Sequence, residues 1–243
     1  MTRGQLVIVT GTDTGIGKTT VTRGLVRALV SRNEVVLPLK WVETGCVESA
    51  DGSLRGDDAI ALARAAKRET DVDRIGPVRF RTPAAPVVAA RHEGKTIDRE
   101  ALWRLRDEAL DAADWVLLEG AGGALVPVTE RDLFVDLAPA GVANAVFVLV
   151  TRDGLGTVHQ TLATHEALAR RGCRVLAVVV NQRTHAEARD RSESIETLRS
   201  WLGSELVTGP IEPDANASDD DLAKRVASIG LLDRVLTLRA SPQ

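Results

Sequence analysis

A glycine-rich segment between a predicted strand and a predicted helix constrains this chain more than any other part of its sequence. Residues 11–19 read Gly-Thr-Asp-Thr-Gly-Ile-Gly-Lys-Thr and directly follow the apolar run Gln5–Thr10. Glycines in such a loop let backbone N–H groups turn inward around phosphate oxygens, and the N-terminus of the next helix adds positive potential. Lys18 is placed to reach the β- and γ-phosphates of a nucleotide, and the Thr19 hydroxyl to bind Mg²⁺. The sequence therefore predicts a P-loop, in which five residues separate Gly11 from Gly17, one more than in the usual pattern.

Short apolar runs alternate with longer amphipathic stretches along the chain, which is the pattern of a parallel sheet with crossover helices. The candidate strands are Gln5–Thr10, Val35–Leu39, Trp115–Glu119, Ala145–Val150 and Val175–Asn181, with weaker candidates at Gly76–Phe80 and Leu206–Gly209. The candidate helices are Thr19–Ser31, Asp57–Arg68, Asp98–Ala113, Thr157–Arg171, Ala186–Leu202 and Asp219–Leu232. The sequence shows no linker rich in Pro, Gly or Ser. We therefore predict one α/β domain over residues 1–243, a P-loop NTPase-like parallel sheet with helices on both faces.

Composition and charge exclude several classes of protein. Hydrophobic residues make up 44% of the chain and charged residues 27%, which excludes a disordered tail. A net charge of −3 argues against a nucleic-acid partner, and no apolar run reaches the ~18 residues of a membrane span. The segment before Gln5 is too short for a signal peptide, and two distant cysteines, Cys46 and Cys173, do not form a disulfide framework. We therefore expect a cytoplasmic protein without a membrane or nucleic-acid partner.

Charged and polar residues also stand where other predicted strands end. Lys40 follows the second strand, Glu119 ends the third and Asn181 ends the fifth. Because ligands bind at the carboxyl ends of parallel strands, we expect these side chains in the same crevice as the P-loop. Glu119 has the position of a metal-side carboxylate in P-loop enzymes, and the Asn181 amide is able to pair with a base edge. Asp57 and Asp58 open a predicted helix, where they serve either as stabilising caps or as a further carboxylate for the metal.

These segments together resemble the dethiobiotin synthetases, ATP-dependent ligases of biotin synthesis. The matching segments are Gly11–Thr19, Lys40–Gly45, Asp58-Ala59, Glu119–Gly123 and Asn181, which occur in the family's order and at compatible separations. The long P-loop and the string Glu-Gly-Ala-Gly-Gly after an apolar strand are both distinctive of that family. The resemblance extends over residues 5–215.

The resemblance implies a reaction of 7,8-diaminononanoate with CO₂ or bicarbonate and MgATP. One amine of the substrate captures CO₂ as a carbamate, and a carbamate oxygen attacks the γ-phosphate of ATP. The neighbouring amine then attacks the mixed anhydride and closes the cyclic urea of dethiobiotin, with release of ADP and phosphate. The resemblance also implies a homodimer whose active site takes residues from both subunits.

Roles for individual residues follow from the same resemblance. Thr19, Asp58 and Glu119 hold the cofactor Mg²⁺, and the catalytic residues Lys18 and Lys40 neutralise charge on the phosphoryl group and the carbamate. ATP is bound by Gly15, Ile16, Gly17, Lys18, Thr19, Thr20, Asp58, Glu119, Gly120, Ala121, Gly122, Asn181, Glu212, Pro213 and Asp214. The substrate is bound by Thr14, Lys40, Thr44 and Gly122, and its carboxylate tail by Leu155, Gly156 and Thr157 of the neighbouring subunit.

Some positions depart from the family's usual pattern, and two other classes of protein share parts of it. Trp41 replaces the proline that usually follows the lysine, and Val158-His159-Gln160 replaces Ile-Asn-His at the helix that meets the substrate tail. Partition-type and septum-positioning ATPases, which are switch proteins, carry a signature lysine where this chain has Asp13. Amidoligases related to cobyrinate-amidating synthases need a glutaminase domain with a nucleophilic cysteine, for which 243 residues leave no room. These two classes are the alternative interpretations.

Overall fold

The computed structural model describes residues 3–182, 191–212 and 214–240. The strands of this part of the chain are β1 (Gln5–Gly11), β2 (Val36–Leu39), β3 (Val42–Thr44), β4 (Val47–Glu48), β5 (Leu54–Arg55), β6 (Val78–Phe80), β7 (Trp115–Glu119), β8 (Val146–Arg152), β9 (Arg174–Asn181) and β10 (Val207–Ile211). Its helices are α1 (Lys18–Val30), α2 (Asp57–Ala65), α3 (Val72–Ile75), α4 (Pro86–His92), α5 (Arg99–Ala112), α6 (Phe134–Leu137), α7 (Thr157–Ala169), α8 (Arg191–Leu202), α9 (Asp219–Ser228) and α10 (Leu231–Ala240). None of the helices in these described ranges combines the length and the apolar character that crossing a membrane requires.

Six strands form one parallel sheet in the order β10-β9-β8-β1-β7-β2. Parallel neighbours need crossover connections, which the helices supply. The register pairs Val9 with Glu119 and Gly11 with Val150, so the carboxyl ends of β1, β7 and β8 lie side by side. Because β7 and β8 flank β1 on opposite sides, the strand order reverses beside the P-loop. A ligand crevice is expected at such a point of reversal.

Helices cover both faces of the sheet, as predicted. Leu6 and Ile8 belong to one apolar cluster, and the alternating Val7 and Val9 belong to the other. The first cluster includes residues of α4, α5 and α8, and the second includes residues of α1, α9 and α10. Burial on both faces explains why β1 is a continuous apolar run rather than an alternating one.

Most predicted elements are confirmed with small shifts at their ends, and two differ in kind. The helix predicted at Asp219–Leu232 is two helices, α9 and α10, because Gly230 takes a positive φ of 73° between them. The weak strand predicted at Gly76–Phe80 is β6, which pairs in parallel with β3 outside the central sheet. The helix predicted at Ala186–Leu202 is described from Arg191 onward, and residues 186–190 lie outside the described residues.

Candidate active site

The predicted P-loop joins β1 to α1, and its lysine folds back over it. Gly15 and Gly17 have positive φ values of 69° and 96°, a conformation that residues with a Cβ rarely adopt. Lys18 begins α1, and its Nζ donates a hydrogen bond to the carbonyl oxygen of Asp13 at 2.8 Å. Burial and the nearby Lys40 ammonium lower the pKa of Lys18 to about 8. The loop therefore offers an ammonium and a helix N-terminus to a phosphate chain.

Asn181, at the end of β9, packs directly against the P-loop. Its Nδ2 donates a hydrogen bond to the carbonyl oxygen of Ile16 at 2.9 Å. A Cβ added to Gly17 would lie 2.0 Å from that Nδ2, so this position needs glycine for space as well as for its φ. The sequence predicted that both ends of the amide would face a base edge. In the structure one N–H of the amino group holds the loop, so Oδ1 and the second N–H remain for a base.

Four side chains meet at the carboxyl edge of the sheet, and we call them the carboxylate centre: Thr19, Lys40, Asp58 and Glu119. The Thr19 Oγ1 lies 2.8 Å from Asp58 Oδ1 and 2.8 Å from Glu119 Oε1. The Lys40 Nζ lies 2.7 Å from Asp58 Oδ2 and 2.7 Å from Glu119 Oε1. These side chains come from α1, α2 and the ends of β2 and β7, so four separate segments converge where the sequence predicted a crevice.

Neighbouring charges within the carboxylate centre set the protonation states of Lys40 and Asp58. The side chains of Lys40 and Glu119 are 4% and 0% exposed. Burial alone would lower the pKa of Lys40, but Glu119 and Asp58 raise it above its ordinary value. Burial likewise opposes ionisation of Asp58, yet Lys40 and the Thr19 hydroxyl hold the pKa of Asp58 below its usual range. Lys40 is therefore a cation and Asp58 an anion at neutral pH.

The oxygens of the centre fit a hard divalent cation. Thr19 Oγ1 has a single hydrogen to donate, although carboxylate oxygens of Asp58 and Glu119 both lie 2.8 Å from it. Glu119 Oε2 is buried and has no hydrogen-bond partner among the described residues. The described residues contain no cluster of three or more His, Cys, Asp or Glu side chains that would hold a metal by itself. Mg²⁺ does not need one, because it commonly binds through one or two carboxylates together with substrate phosphates.

The two aspartates at the start of α2 have different surroundings. Asp58 belongs to the carboxylate centre. The Asp57 side chain is 84% exposed and lies 3.5 Å from the Arg55 guanidinium. The structure therefore places Asp58, and not Asp57, beside the P-loop.

A cavity of about 570 Å³ opens over the P-loop and the carboxylate centre. The predicted site residues that line it are Thr14, Gly15, Gly17, Lys18, Thr19, Thr20, Lys40, Thr44, Asp58, Glu119, Ala121, Gly122, Asn181, Glu212 and Asp214. Ile16 and Gly120 are buried and, within the described ranges, are not part of its lining. Pro213 lies outside the described residues. The cavity thus brings together the residues that the sequence assigned to phosphate, metal and base.

The segment predicted to hold the substrate tail lies elsewhere, at the connection between β8 and α7. Leu155 is 98% exposed, and Gly156 has a φ of 87°. Thr157 is buried, with its hydroxyl hydrogen-bonded to Thr151 Oγ1 at 2.8 Å. The Thr157 hydroxyl is therefore committed within the protein, and the segment presents its backbone and Leu155 outward. Its role in a dimer stays a prediction.

Five residues that sequence reasoning missed also line the cavity, and two of them are charged, Glu43 and Arg225; the others are Gln182, Ala215 and Leu222. The Glu43 carboxylate accepts two backbone hydrogen bonds at the start of α2, and burial raises its pKa. Arg225, on α9, donates to the carbonyl oxygen of Glu212 at 2.7 Å and to Asp214 Oδ2 at 2.8 Å. Glu43 stands inside the segment Lys40–Gly45, which was the available signal, whereas Arg225 carries no local signal at all.

Comparisons with known proteins show the family to which the chain is similar. A family described as AAA domain matches residues 5–219. The chain is 37% identical to the ATP-dependent dethiobiotin synthetase BioD of Anaeromyxobacter dehalogenans, over 92% of this chain and 95% of that protein. It is 36% identical to the protein of the same name from Chlorobaculum tepidum, over 82% of each chain. A third such protein, from Thermodesulfovibrio yellowstonii, is 34% identical over 71% of this chain and 74% of its own.

Two solved structures of similar fold are those of MinD cell division proteins. The cell division ATPase MinD of Pyrococcus furiosus has a TM-score of 0.57 at 19% identity, covering 97% of this chain and 99% of that one. The MinD cell division protein of Aquifex aeolicus has a TM-score of 0.53 at 15% identity, covering 99% of both chains. At such identities the likeness concerns the fold alone, a parallel sheet with a P-loop.

Proposed function

The chain belongs to the ATP-dependent dethiobiotin synthetases, and we propose that 7,8-diaminononanoate, CO₂ and MgATP react in the cavity above its carboxylate centre. The enzyme is a ligase of biotin biosynthesis that forms C–N bonds with ATP as co-substrate. The observation that carries the proposed site is the convergence of Lys18, Thr19, Lys40, Asp58 and Glu119 on one cavity.

The P-loop holds the phosphates of ATP in this proposal. The N–H groups at the start of α1 point toward bound phosphate oxygens, as helix N-termini do. Lys18, whose Nζ already lies over the loop at Asp13, needs only a small movement to reach the β- and γ-phosphates. Asn181 Oδ1, Glu212 and Asp214 face the base.

Lys40 neutralises the charge that develops during the reaction. Its ammonium is buried and protonated, and three directed donors surround Nζ. A carbamate oxygen attacking the γ-phosphate concentrates negative charge within reach of both lysines, and preorganised cations stabilise such charge strongly. The second amine then attacks the carbamate carbon, phosphate leaves, and the cyclic urea closes.

The residues that would hold Mg²⁺ are Thr19, Asp58 and Glu119, because a carboxylate oxygen of each acid lies 2.8 Å from Thr19 Oγ1 and Glu119 Oε2 lacks a partner among the described residues. The ion would supply positive charge to the phosphate oxygens of ATP. Asp58 and Glu119 balance that charge once it arrives.

The substrate lies between Thr14, Thr44 and Gly122 in this proposal. Gly122 has a φ of 73°, and a Cβ there would lie 3.5 Å from Thr14 Oγ1 and 2.8 Å from Val126 Cγ2. A side chain at this position would crowd the wall beside Thr14. The glycine therefore keeps room for the diamine and its carbamate.

We place the substrate tail at Leu155, Gly156 and Thr157 of a second subunit, in a homodimer of one synthetase domain per chain (residues 1–243). Support comes from the 98% exposure of Leu155 and from the separation of this segment from its own chain's cavity within the described residues. We also place the enzyme in the cytoplasm, because Cys46 and Cys173 are both free thiols.

The proposal is tested by incubating the purified chain with 7,8-diaminononanoate, bicarbonate and MgATP and detecting the cyclic urea by mass spectrometry. We expect dethiobiotin in amounts that match the ADP released, and none when bicarbonate or the diamine is omitted. Steady ATP hydrolysis without product, unaffected by the diamine, would instead indicate a switch ATPase of the septum-positioning class. Asp13 stands at the signature-lysine position of that class and argues against it.

A further inference from the structure

Glu43 lies buried beside the carboxylate centre and belongs to none of the roles assigned above. We propose that Glu43 is a positioning residue, which holds the first turn of α2 so that Asp58 faces Thr19 and Lys40, and which thereby sets the affinity of the centre for a divalent cation. The inference rests on the proposed metal site and adds to it a residue that does not touch the metal.

Both oxygens of Glu43 are used at the start of α2. Oε1 accepts the backbone N–H of Asp58 at 2.7 Å, and Oε2 accepts the backbone N–H of Ala59 at 3.1 Å. Glu43 is 7% exposed and stands on β3, fifteen residues before Asp58 along the chain. One buried carboxylate therefore ties α2 to a strand next to Lys40.

Helix α2 relies on this distant side chain for its cap. Its N-cap residue is Gly56, which has no side chain to accept the N–H groups of the first turn. A Cβ added to Gly56 would lie 2.3 Å from Glu43 Oε2. Gly56 and Glu43 thus form a matched pair, in which the glycine leaves space for the carboxylate that replaces an ordinary cap.

Asp58 is therefore held through its backbone as well as through its side chain. Its backbone N–H is fixed by Glu43, and its carboxylate is fixed by Thr19 and Lys40. If the first turn of α2 shifts, the Asp58 oxygens move relative to Thr19 and Glu119. Groups that orient metal ligands in this way typically change metal affinity by about 10–100-fold when they are removed.

The competing explanation is that Glu43 only stabilises α2 as a helix cap. The chain offers a matched control for that explanation. Asp98 caps α5 by accepting the backbone N–H of Ala101 at 3.0 Å, and it lies outside the cavity among the described residues. Asp98→Ala therefore removes a side-chain cap without touching the carboxylate centre. Any loss of metal affinity caused by lower stability alone would appear in both variants.

The experiment measures Mn²⁺ binding to the enzyme–ADP complex by electron paramagnetic resonance, together with ADP binding in the absence of metal. We expect Glu43→Gln to weaken Mn²⁺ binding by about 10–100-fold, because an amide presents an N–H to one of the two backbone donors. Metal-free ADP should bind to this variant as it does to the wild type. Asp98→Ala should leave Mn²⁺ affinity unchanged. In turnover, the Mg²⁺ concentration for half-maximal rate should rise while the rate at saturating Mg²⁺ changes little.

Gly56→Ala provides a second variant that keeps Glu43 and its charge. Its φ of −102° suits alanine, so the substitution acts mainly by pushing on Glu43 Oε2. We expect weaker Mn²⁺ binding here too. Wild-type Mn²⁺ affinity in both Glu43→Gln and Gly56→Ala would overturn the proposal, as would equal losses in Asp98→Ala. These measurements need no diamine. Their outcome is therefore independent of whether the enzyme makes dethiobiotin.

Discussion

The Lys40 ammonium lies 2.7 Å from Glu119 Oε1, and both side chains are buried where β2 and β7 end. Asp58 Oδ2 also lies 2.7 Å from this ammonium, and Lys18 lies close enough for its pKa to respond to all three groups. Two lysines thus face two carboxylates in one cavity. Such a site offers carboxylates to a divalent cation and ammonium groups to a phosphate chain, which suits chemistry on MgATP.

The first prediction concerns the kind of cation at position 40. Only five of the 31 lysines and arginines are lysines, yet lysine stands here between two carboxylates. A guanidinium is planar and larger, with donors in a fixed fork, so Lys40→Arg should be nearly as damaging as Lys40→Ala. We expect turnover to fall about 10²–10³-fold in both variants, equivalent to roughly 3–4 kcal/mol.

Nucleotide binding serves as the control for these variants. A non-hydrolysable ATP analogue should bind both of them with near wild-type affinity, because Lys18 and the loop N–H groups hold the phosphates. Near-normal turnover of Lys40→Arg would show that charge alone suffices. Loss of nucleotide affinity in both variants would make Lys40 a phosphate anchor instead.

The second prediction compares the neighbouring aspartates of α2. Asp58→Asn removes a charge that faces Thr19 and Lys40, whereas Asp57→Asn alters an exposed side chain near Arg55. We expect Asp58→Asn to raise the Mg²⁺ requirement and to cut turnover severely, and Asp57→Asn to behave as wild type. The check is a Mg²⁺ titration of initial rates. Equal effects of the two substitutions would remove Asp58 from the metal site.

The third prediction is a pH dependence of nucleotide binding. The pKa of Lys18 is lowered to about 8, chiefly by burial, so the lysine loses its proton well below its ordinary range. A phosphate chain binds the protonated form, so the affinity for metal-free ADP should fall as the pH rises through about 8, by up to about tenfold per pH unit. Isothermal titration calorimetry of ADP binding above pH 8 should also show that the protein takes up protons as the complex forms.

A matched variant isolates the Lys18 ammonium in that experiment. Arginine stays protonated throughout this range, so Lys18→Arg should show no comparable fall, whatever its absolute affinity. A fall of equal size in Lys18→Arg would assign the pH dependence to another group.

The fourth prediction concerns stability rather than catalysis. Asp219 is buried at the start of α9 and accepts hydrogen bonds from Arg23 at 2.7 Å and Arg64 at 3.2 Å, which joins three helices. Because both arginines are partly exposed, we expect Asp219→Asn to lower the free energy of unfolding by about 1–2 kcal/mol. Asp220, next to it, is exposed and paired with Arg27. Asp220→Asn should cost less than about 1 kcal/mol in the same urea titration.

Much of the phosphate site could be predicted from the sequence because its signals are local. A loop of glycines followed by Lys18 and Thr19 has to begin a helix, and a buried strand that ends in Glu119 has to deliver that carboxylate to the same edge. The continuous apolar runs likewise predicted a sheet covered on both faces. These conclusions depend on neighbouring residues and on the geometry that all parallel sheets share.

Other parts of the site depend on contacts between distant residues. The choice between Asp57 and Asp58 is decided by how α2 is set against β3, and Glu43 makes that contact across fifteen residues. Arg225 reaches the segment around Glu212 from a helix whose end the sequence misplaced, since Gly230 interrupts it with a positive φ. The small parallel pair of β3 and β6 was not predicted as a pair for the same reason, since Gly76–Phe80 gave only a weak strand signal and β3 gave none, neither strand being long enough to show a period.

The most direct test of the central claim follows an oxygen atom from bicarbonate. If a carbamate oxygen attacks the γ-phosphate and phosphate later leaves as the ring closes, heavy oxygen from labelled bicarbonate must pass into the released phosphate. The measurement is mass spectrometry of phosphate from a short reaction with 7,8-diaminononanoate and ATP, quenched before bicarbonate exchanges with water. We predict one labelled oxygen in the phosphate for each dethiobiotin formed. Phosphate that carries oxygen only from water would show that ATP is hydrolysed at the carboxylate centre and would contradict the account.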